Sequence, residues 1–220
     1  MTSFVLTAIL SFVSIAMPRA SAAPIDPLSR GPLPLTDKNI AAARASYEDG
    51  LIYTDKECFL KPEDIAATEI ALPELASDIC KNRTQELVYV ASKSVIVGCA
   101  TNTAEFAMRV SIGTNGIGKT AEGNRKSPLG TYWIGYPRHS MQFGIFIPIG
   151  YPNMANIAAG FTGYAVGIHG PMRFMTCLPQ KSLEKNWTAG CFAVGRDSQI
   201  IQLSEWILAH WPAKLTITRN

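Results

Sequence analysis

Internal repetition, a charge excess, a metal-ligand spacing and a membrane-length apolar run are all missing from this sequence. No segment recurs at a fixed period, which excludes solenoids and propellers. Basic and acidic residues number 20 and 17, and the resulting net charge of +3 is too small for a nucleic-acid footprint. Three histidines and no C-x-x-C pattern argue against a structural zinc site. Gly 17 and Pro 14 are too few for a collagen-like or linker-dominated chain. The apolar stretch at residues 4–17 (FVLTAILSFVSIAM) is shorter than the about 20 residues a membrane helix needs. What is present, 47% hydrophobic and 17% charged residues, suffices to bury one core of roughly 100–200 residues.

The apolar stretch precedes Ala20-Ser21-Ala22, a small-x-small cleavage pattern. Residues 1–22 therefore read as a secretory leader, although no Lys or Arg lies ahead of the apolar core; a buried helix or an uncleaved anchor is the competing reading. No cysteine near the cleavage point suggests lipidation, and no stable membrane span is expected after leader removal. Export places the five cysteines in an oxidising compartment, where thiols pair. Cys58, Cys80, Cys99 and Cys177 would form two bridges by any of three connectivities, leaving Cys191. Proximity in sequence favours Cys58 with Cys80, and then Cys99 with Cys177.

Residues 23–35 (APIDPLSRGPLPL) form a Pro-rich lead-in. Thr36 is placed to cap a helix through about Tyr47, and Pro62 and Pro73 occupy first-turn positions of two more short helices. From Glu86 the texture changes. LVYVA, VIVGCA, FAMRVSIG, GTYWIG, GIFIPIG, YAVGIHG and KLTITR carry the β-branched and aromatic enrichment of strands. Asp197 is expected to cap one late helix with Ile200, Leu203, Ile207 and Trp211 on one face. The fold class is mainly β, with a few helices and a short helical region in front.

Residues 113–120 (GTNGIGKT) match G-x-x-x-x-G-K-[ST], the phosphate-cradling loop. That motif requires a helix from Lys119, but AEGNRKSPLG follows, so a glycine-rich loop between strands is the better reading. The stronger constellation lies further on. YAVGIHG delivers His169 at a strand end, and Thr188-Ala189-Gly190-Cys191 sets a thiol on a tight turn. His169 is placed to take the thiol proton, since the thiolate is the nucleophile. The Gly190 and Cys191 amides would face an oxyanion, and the Gly170 carbonyl would orient the imidazole. The bland alternatives are a structural histidine and an inert buried thiol. His139, in the polar turn PRHS, and His210 are weaker candidates.

The ordered set SPLG (127–130), IHG (168–170) and TAGC (188–191) resembles the L,D-transpeptidase, or YkuD-type, catalytic domain family. Residues 113–119 also resemble that family's S-x-G-K loop. The resemblance covers about residues 86–218. It implies a β-sandwich or barrel-like domain acting on peptidoglycan stem peptides through a Cys191 thioester, with His169 as base and no metal or organic cofactor. With the leader at 1–22 and the lead-in and helical region at 23–85, it gives the catalytic domain as 86–218. Periplasmic or secreted localisation follows, with stem peptides or a peptidoglycan-linked protein as partners and no nucleic acid.

The sequence departs from the family at Ala189, where a histidine is usual, and at Ala193, where Arg or Asn is common. GCFAV is closer to the GC-aromatic-Ala branch, whose members trim peptidoglycan or release linked proteins. Arg173, Arg196 and Thr188 are the substrate-binding candidates. Two alternatives compete: a non-catalytic, disulfide-bonded wall-binding module, and a sortase-like transpeptidase using His139, Cys191 and Arg196. Asn82 and Asn186 head N-x-[ST] sequons, which matter only in a glycosylating host.

Overall fold

The computed structural model describes residues 36–54, 58–72 and 76–220; the leader, the Pro-rich lead-in and Pro73 lie outside them. Helix α1 (Asp37–Ile52) starts where expected, with the Thr36 side chain accepting from the Asn39 amide at 3.2 Å, and runs past Tyr47. Short helices α2 (Pro62–Ala66) and α3 (Ala76–Ile79) precede the strands. The strands are β1 (Gln85–Val90), β2 (Val95–Ala100), β3 (Thr103–Ser111), β4 (Gly130–Trp133), β5 (Arg138–Ser140), β6 (Gly144–Pro148), β7 (Gly167–His169), β8 (Phe192–Val194) and β9 (Lys214–Thr218). Helices α4 (Met154–Ala158), α5 (Pro179–Leu183) and α6 (Asp197–Ala209) complete the chain.

The nine strands form one sheet in the order β4-β9-β1-β2-β3-β8-β7-β6-β5. The sheet curls back on itself. An antiparallel bridge joins Ile134, beyond β4, to Ile149, beyond β6, and Gly135 donates to the Pro148 carbonyl at 2.7 Å. Leu87, Tyr89, Ile96, Ile147, Ile168 and Phe192 point into the curl, where Ile200, Leu203 and Ile207 of α6 fill it. Each such fully buried aliphatic or aromatic side chain contributes roughly 1.5–3 kcal/mol. The outer face of β1–β3 carries Val88, Val90, Val95 and Val97, with Cys80 and Cys99 packed among them. The expected mainly β fold is the one observed.

Three expectations need correction. PRHS is no turn: Arg138–Ser140 is edge strand β5, antiparallel to β6. Asp197 is the first residue of α6 rather than its cap, which is Arg196, and its carboxylate pairs with Arg173. The disulfides join Cys58 to Cys177 and Cys80 to Cys99, each with Cα atoms 5.3 Å apart. Proximity in sequence misled here. Cys80 follows α3 onto the outer face that Cys99 shares, whereas Cys58 lies beside the segment linking β7 to β8.

Candidate active site

Strands β7 and β8 run parallel and adjacent, and their register decides which side chains meet. Ile168 pairs with Phe192, and His169 with Ala193. The first pair points into the core. Since side chains alternate along a strand, His169 and Ala193 share the other face, and Cys191, two residues before Ala193, is brought toward it. Phe146, opposite His169 on β6, shares that face. His169 and Cys191 thus become diagonal neighbours although 22 positions apart in the chain.

The Cys191 turn is braced by the motifs preceding it. Thr188 forms a parallel bridge with Gly113, whose amide donates to Ser127 Oγ at 3.0 Å. Ser127 Oγ in turn donates to the Cys191 carbonyl at 3.3 Å, and the Ser127 carbonyl accepts from the Gly118 and Lys119 amides at 2.8 and 3.1 Å. No helix starts at Lys119, so residues 113–120 make a loop that supports the turn. Gly190 is required there. Its φ is +138°, and an added Cβ would lie 2.8 Å from the Lys126 carbonyl oxygen.

His169 is buried, 1% exposed, with Nδ1 2.7 Å from the Gly170 carbonyl oxygen. A carbonyl only accepts, so Nδ1 carries the proton and Nε2 keeps its lone pair. Phe143 stacks on the ring at 3.7 Å between centroids, and Trp187 lies at 5.6 Å. Burial drives the imidazole pKa down to about 4, against a smaller opposing effect of the Gly170 hydrogen bond. The Cys191 thiol is the free cysteine among the described residues and donates to the Ala165 carbonyl at 3.5 Å. Desolvation raises its pKa, while hydrogen bonding to the Gly167 backbone and the Lys119 ammonium pull it back.

Lys119 is the site residue that sequence reasoning missed. It is 5% exposed, its Nζ donates to the Ala121 carbonyl at 3.4 Å, and burial lowers its pKa. The signal in the sequence is the lysine of GTNGIGK, which the loop brings to the thiol and not to a phosphate.

Other expected residues are engaged elsewhere. The Thr188 hydroxyl donates to the Cys191 carbonyl at 2.7 Å and accepts from the Gly190 amide at 3.1 Å, which makes it a turn-former. The Gly190 amide is therefore occupied within the turn. Arg173 pairs with Asp197, and Arg196 with Glu69 and the Thr68 hydroxyl. His139 lies on β5, three strands from β8 or roughly 14 Å at ordinary strand spacing, and pairs with the core-facing Ile145. A sortase-like His139–Cys191–Arg196 arrangement does not assemble. His210 caps the end of α6, its Nδ1 2.9 Å from the Trp206 carbonyl oxygen. Asn186 accepts the Ile112 amide through Oδ1 at 3.1 Å.

The family model YkuD, L,D-transpeptidase catalytic domain, matches residues 83–214. The helical cell shape determining protein Pgp2 from Campylobacter jejuni is similar in structure, with 19% identity, TM-score 0.51, and 61% of this chain and 47% of that chain covered. Bd1075 from Bdellovibrio bacteriovorus gives 16% identity and TM-score 0.45, covering 70% and 53%. An L,D-transpeptidase from Stackebrandtia nassauensis gives 9% identity and TM-score 0.43, covering 84% and 80%. This chain spans about half the length of the first two, and at 19% identity the likeness to Pgp2 shows fold alone. No curated protein sequence matches the chain. The match of the family model over residues 83–214, more than half of the sequence, shows that the chain belongs to the L,D-transpeptidase catalytic domain family.

Proposed function

We propose that this protein is an exported cysteine-nucleophile enzyme that cleaves L,D peptide bonds in peptidoglycan stem peptides through a Cys191 thioester. The observation carrying this is the parallel β7–β8 register, which sets His169 and Cys191 on one face with His169 Nε2 unprotonated. Nε2 takes the Cys191 proton as Sγ attacks the carbonyl carbon. The oxyanion is held by the Cys191 amide, joined by that of Gly190 once Thr188 releases it. The imidazolium gives its proton to the departing amine as the C–N bond breaks, and water or an amine resolves the thioester. Export and a periplasmic or secreted location fit the leader pattern and the two disulfides.

Ala189 and Ala193 lack the polar groups that would hold an acceptor peptide, and Arg173 and Arg196 are held by internal carboxylates. Absence of a charge-assisted contact costs roughly 1.5–3 kcal/mol, about a ten- to hundredfold loss of acceptor binding. Trimming or release of a linked protein is thereby favoured over crosslinking, as in the GC-aromatic-Ala branch. Chromatography of digested wall material treated with the mature protein tests this. Shortened stem peptides or freed protein support it; new diamino-acid to diamino-acid dimers as the main product would overturn the branch assignment. Unchanged material would favour a binding module.

A further inference from the structure

His169 is supported from two directions, and both supports end at one ion pair. Its Nδ1 hydrogen meets the Gly170 carbonyl, and the Phe143 ring covers one face of the imidazole. Arg173 Nη2 donates to the Phe143 carbonyl at 3.2 Å and to the Pro171 carbonyl, next after Gly170, at 3.1 Å. Asp197 fixes the guanidinium bidentately, with Oδ1 2.6 Å from Nη2 and Oδ2 3.1 Å from Nη1. Nη1 also donates to the Tyr53 carbonyl at 2.5 Å. Gly170 is wedged inside this frame: a Cβ there would lie 2.6 Å from the Phe143 carbonyl oxygen and 3.4 Å from Asp197 Oδ1. Ile200 Cγ2, at 3.3 Å, completes the frame, and the nearest of the three atoms, the Phe143 carbonyl oxygen, is a partner of Arg173, as is Asp197.

We propose that the Arg173–Asp197 pair is a positioning clamp for His169, setting the tautomer and tilt of the imidazole through Gly170 and Phe143. This rests on the reading of His169 and Cys191 given above. Asp197 is buried at the start of α6, so the clamp is anchored to a helix rooted in the core through Ile200 and Leu203. A planar fork of donors is needed. A lysine ammonium is a point charge and cannot serve a bidentate carboxylate and three carbonyls together.

The test uses the mature chain with Arg173→Lys, Arg173→Met and Phe143→Leu, each also combined with His169→Asn. Nitrogen NMR of the His169 ring and the pH profile of Cys191 alkylation by iodoacetamide are the readouts, with thermal melts to verify folding. The single Nδ1–H tautomer should give way to a mixture, and alkylation should slow by up to about a hundredfold, as for a misplaced reacting group. In the His169→Asn background the same substitutions should add no further loss. Should Arg173→Met fail to fold, Arg173→Lys and Phe143→Leu carry the comparison. Folded variants with wild-type ring signals and alkylation profile would overturn the clamp, as would equal losses in both backgrounds. Neither readout needs a wall peptide. A chain that shows this coupling but turns over no stem peptide would refute the proposed function and leave the clamp standing.

Discussion

Burial raises the Cys191 thiol and lowers the His169 imidazole to about 4, so near neutral pH the pair is thiol and neutral imidazole, without a standing thiolate–imidazolium pair. Two outcomes follow at this scale. Cys191 should be the one alkylated cysteine of the oxidised protein, with a rate that rises with pH and shows no acid plateau; stopped-flow alkylation with peptide mapping checks both. Lys119→Met removes the cation that favours the thiolate and should slow alkylation at pH 7 about tenfold, equivalent to about 1.4 kcal/mol. At Gly190, Ala combines a positive φ with a 2.8 Å approach to the Lys126 carbonyl. Gly190→Ala should lower turnover by about 10²–10³ through a displaced oxyanion amide, measured by steady-state kinetics on a folded variant.

The elements themselves were legible wherever β-branched and aromatic enrichment or a capping residue marked them. VIVGCA and FAMRVSIG became β2 and β3, and Thr36 caps α1. Strand β5 was not legible, because three polar residues at a sheet edge carry no β-branched or aromatic enrichment. The candidate residues His169, Gly170 and Cys191 stand in short local motifs, and the sheet register brings those motifs side by side. The roles of Arg173, Arg196 and Thr188 were not legible, because their partners Asp197, Glu69 and the Cys191 carbonyl are fixed only by tertiary contact or turn geometry. Disulfide connectivity is the same kind of information. Non-reducing peptide mapping should find Cys58 joined to Cys177 and Cys80 to Cys99; a Cys58–Cys80 peptide would contradict the packing of α3 on the outer sheet face. With separations of 119 and 19 residues, the chain-entropy model assigns the two cross-links about 5 and about 3 kcal/mol. Cys58→Ser with Cys177→Ser should therefore lower stability more than loss of the other bridge, as read by denaturant titration.

For the whole molecule, the buried histidine links folding to acidity. The unfolded chain takes up a proton on His169 near its ordinary value of 6.5, whereas the folded chain resists until about 4. The folded pKa is depressed, so this contribution is fully present above pH 6.5 and is lost as pH falls toward 4, at a cost on the order of 3 kcal/mol. Urea titrations at pH 7 and pH 4 should show wild type losing more stability than His169→Gln by about that amount; equal losses would mean that the ring is not held neutral by burial. Covalent catalysis at Cys191 is the claim on which the functional account stands. Its most direct measurement is intact-protein mass spectrometry of the mature chain quenched in acid during turnover of stem peptides, followed by peptide mapping. The account predicts an acyl adduct on Cys191, lost on treatment with hydroxylamine and absent from Cys191→Ala. Turnover with an unmodified Cys191, or an adduct on any other residue, would contradict it.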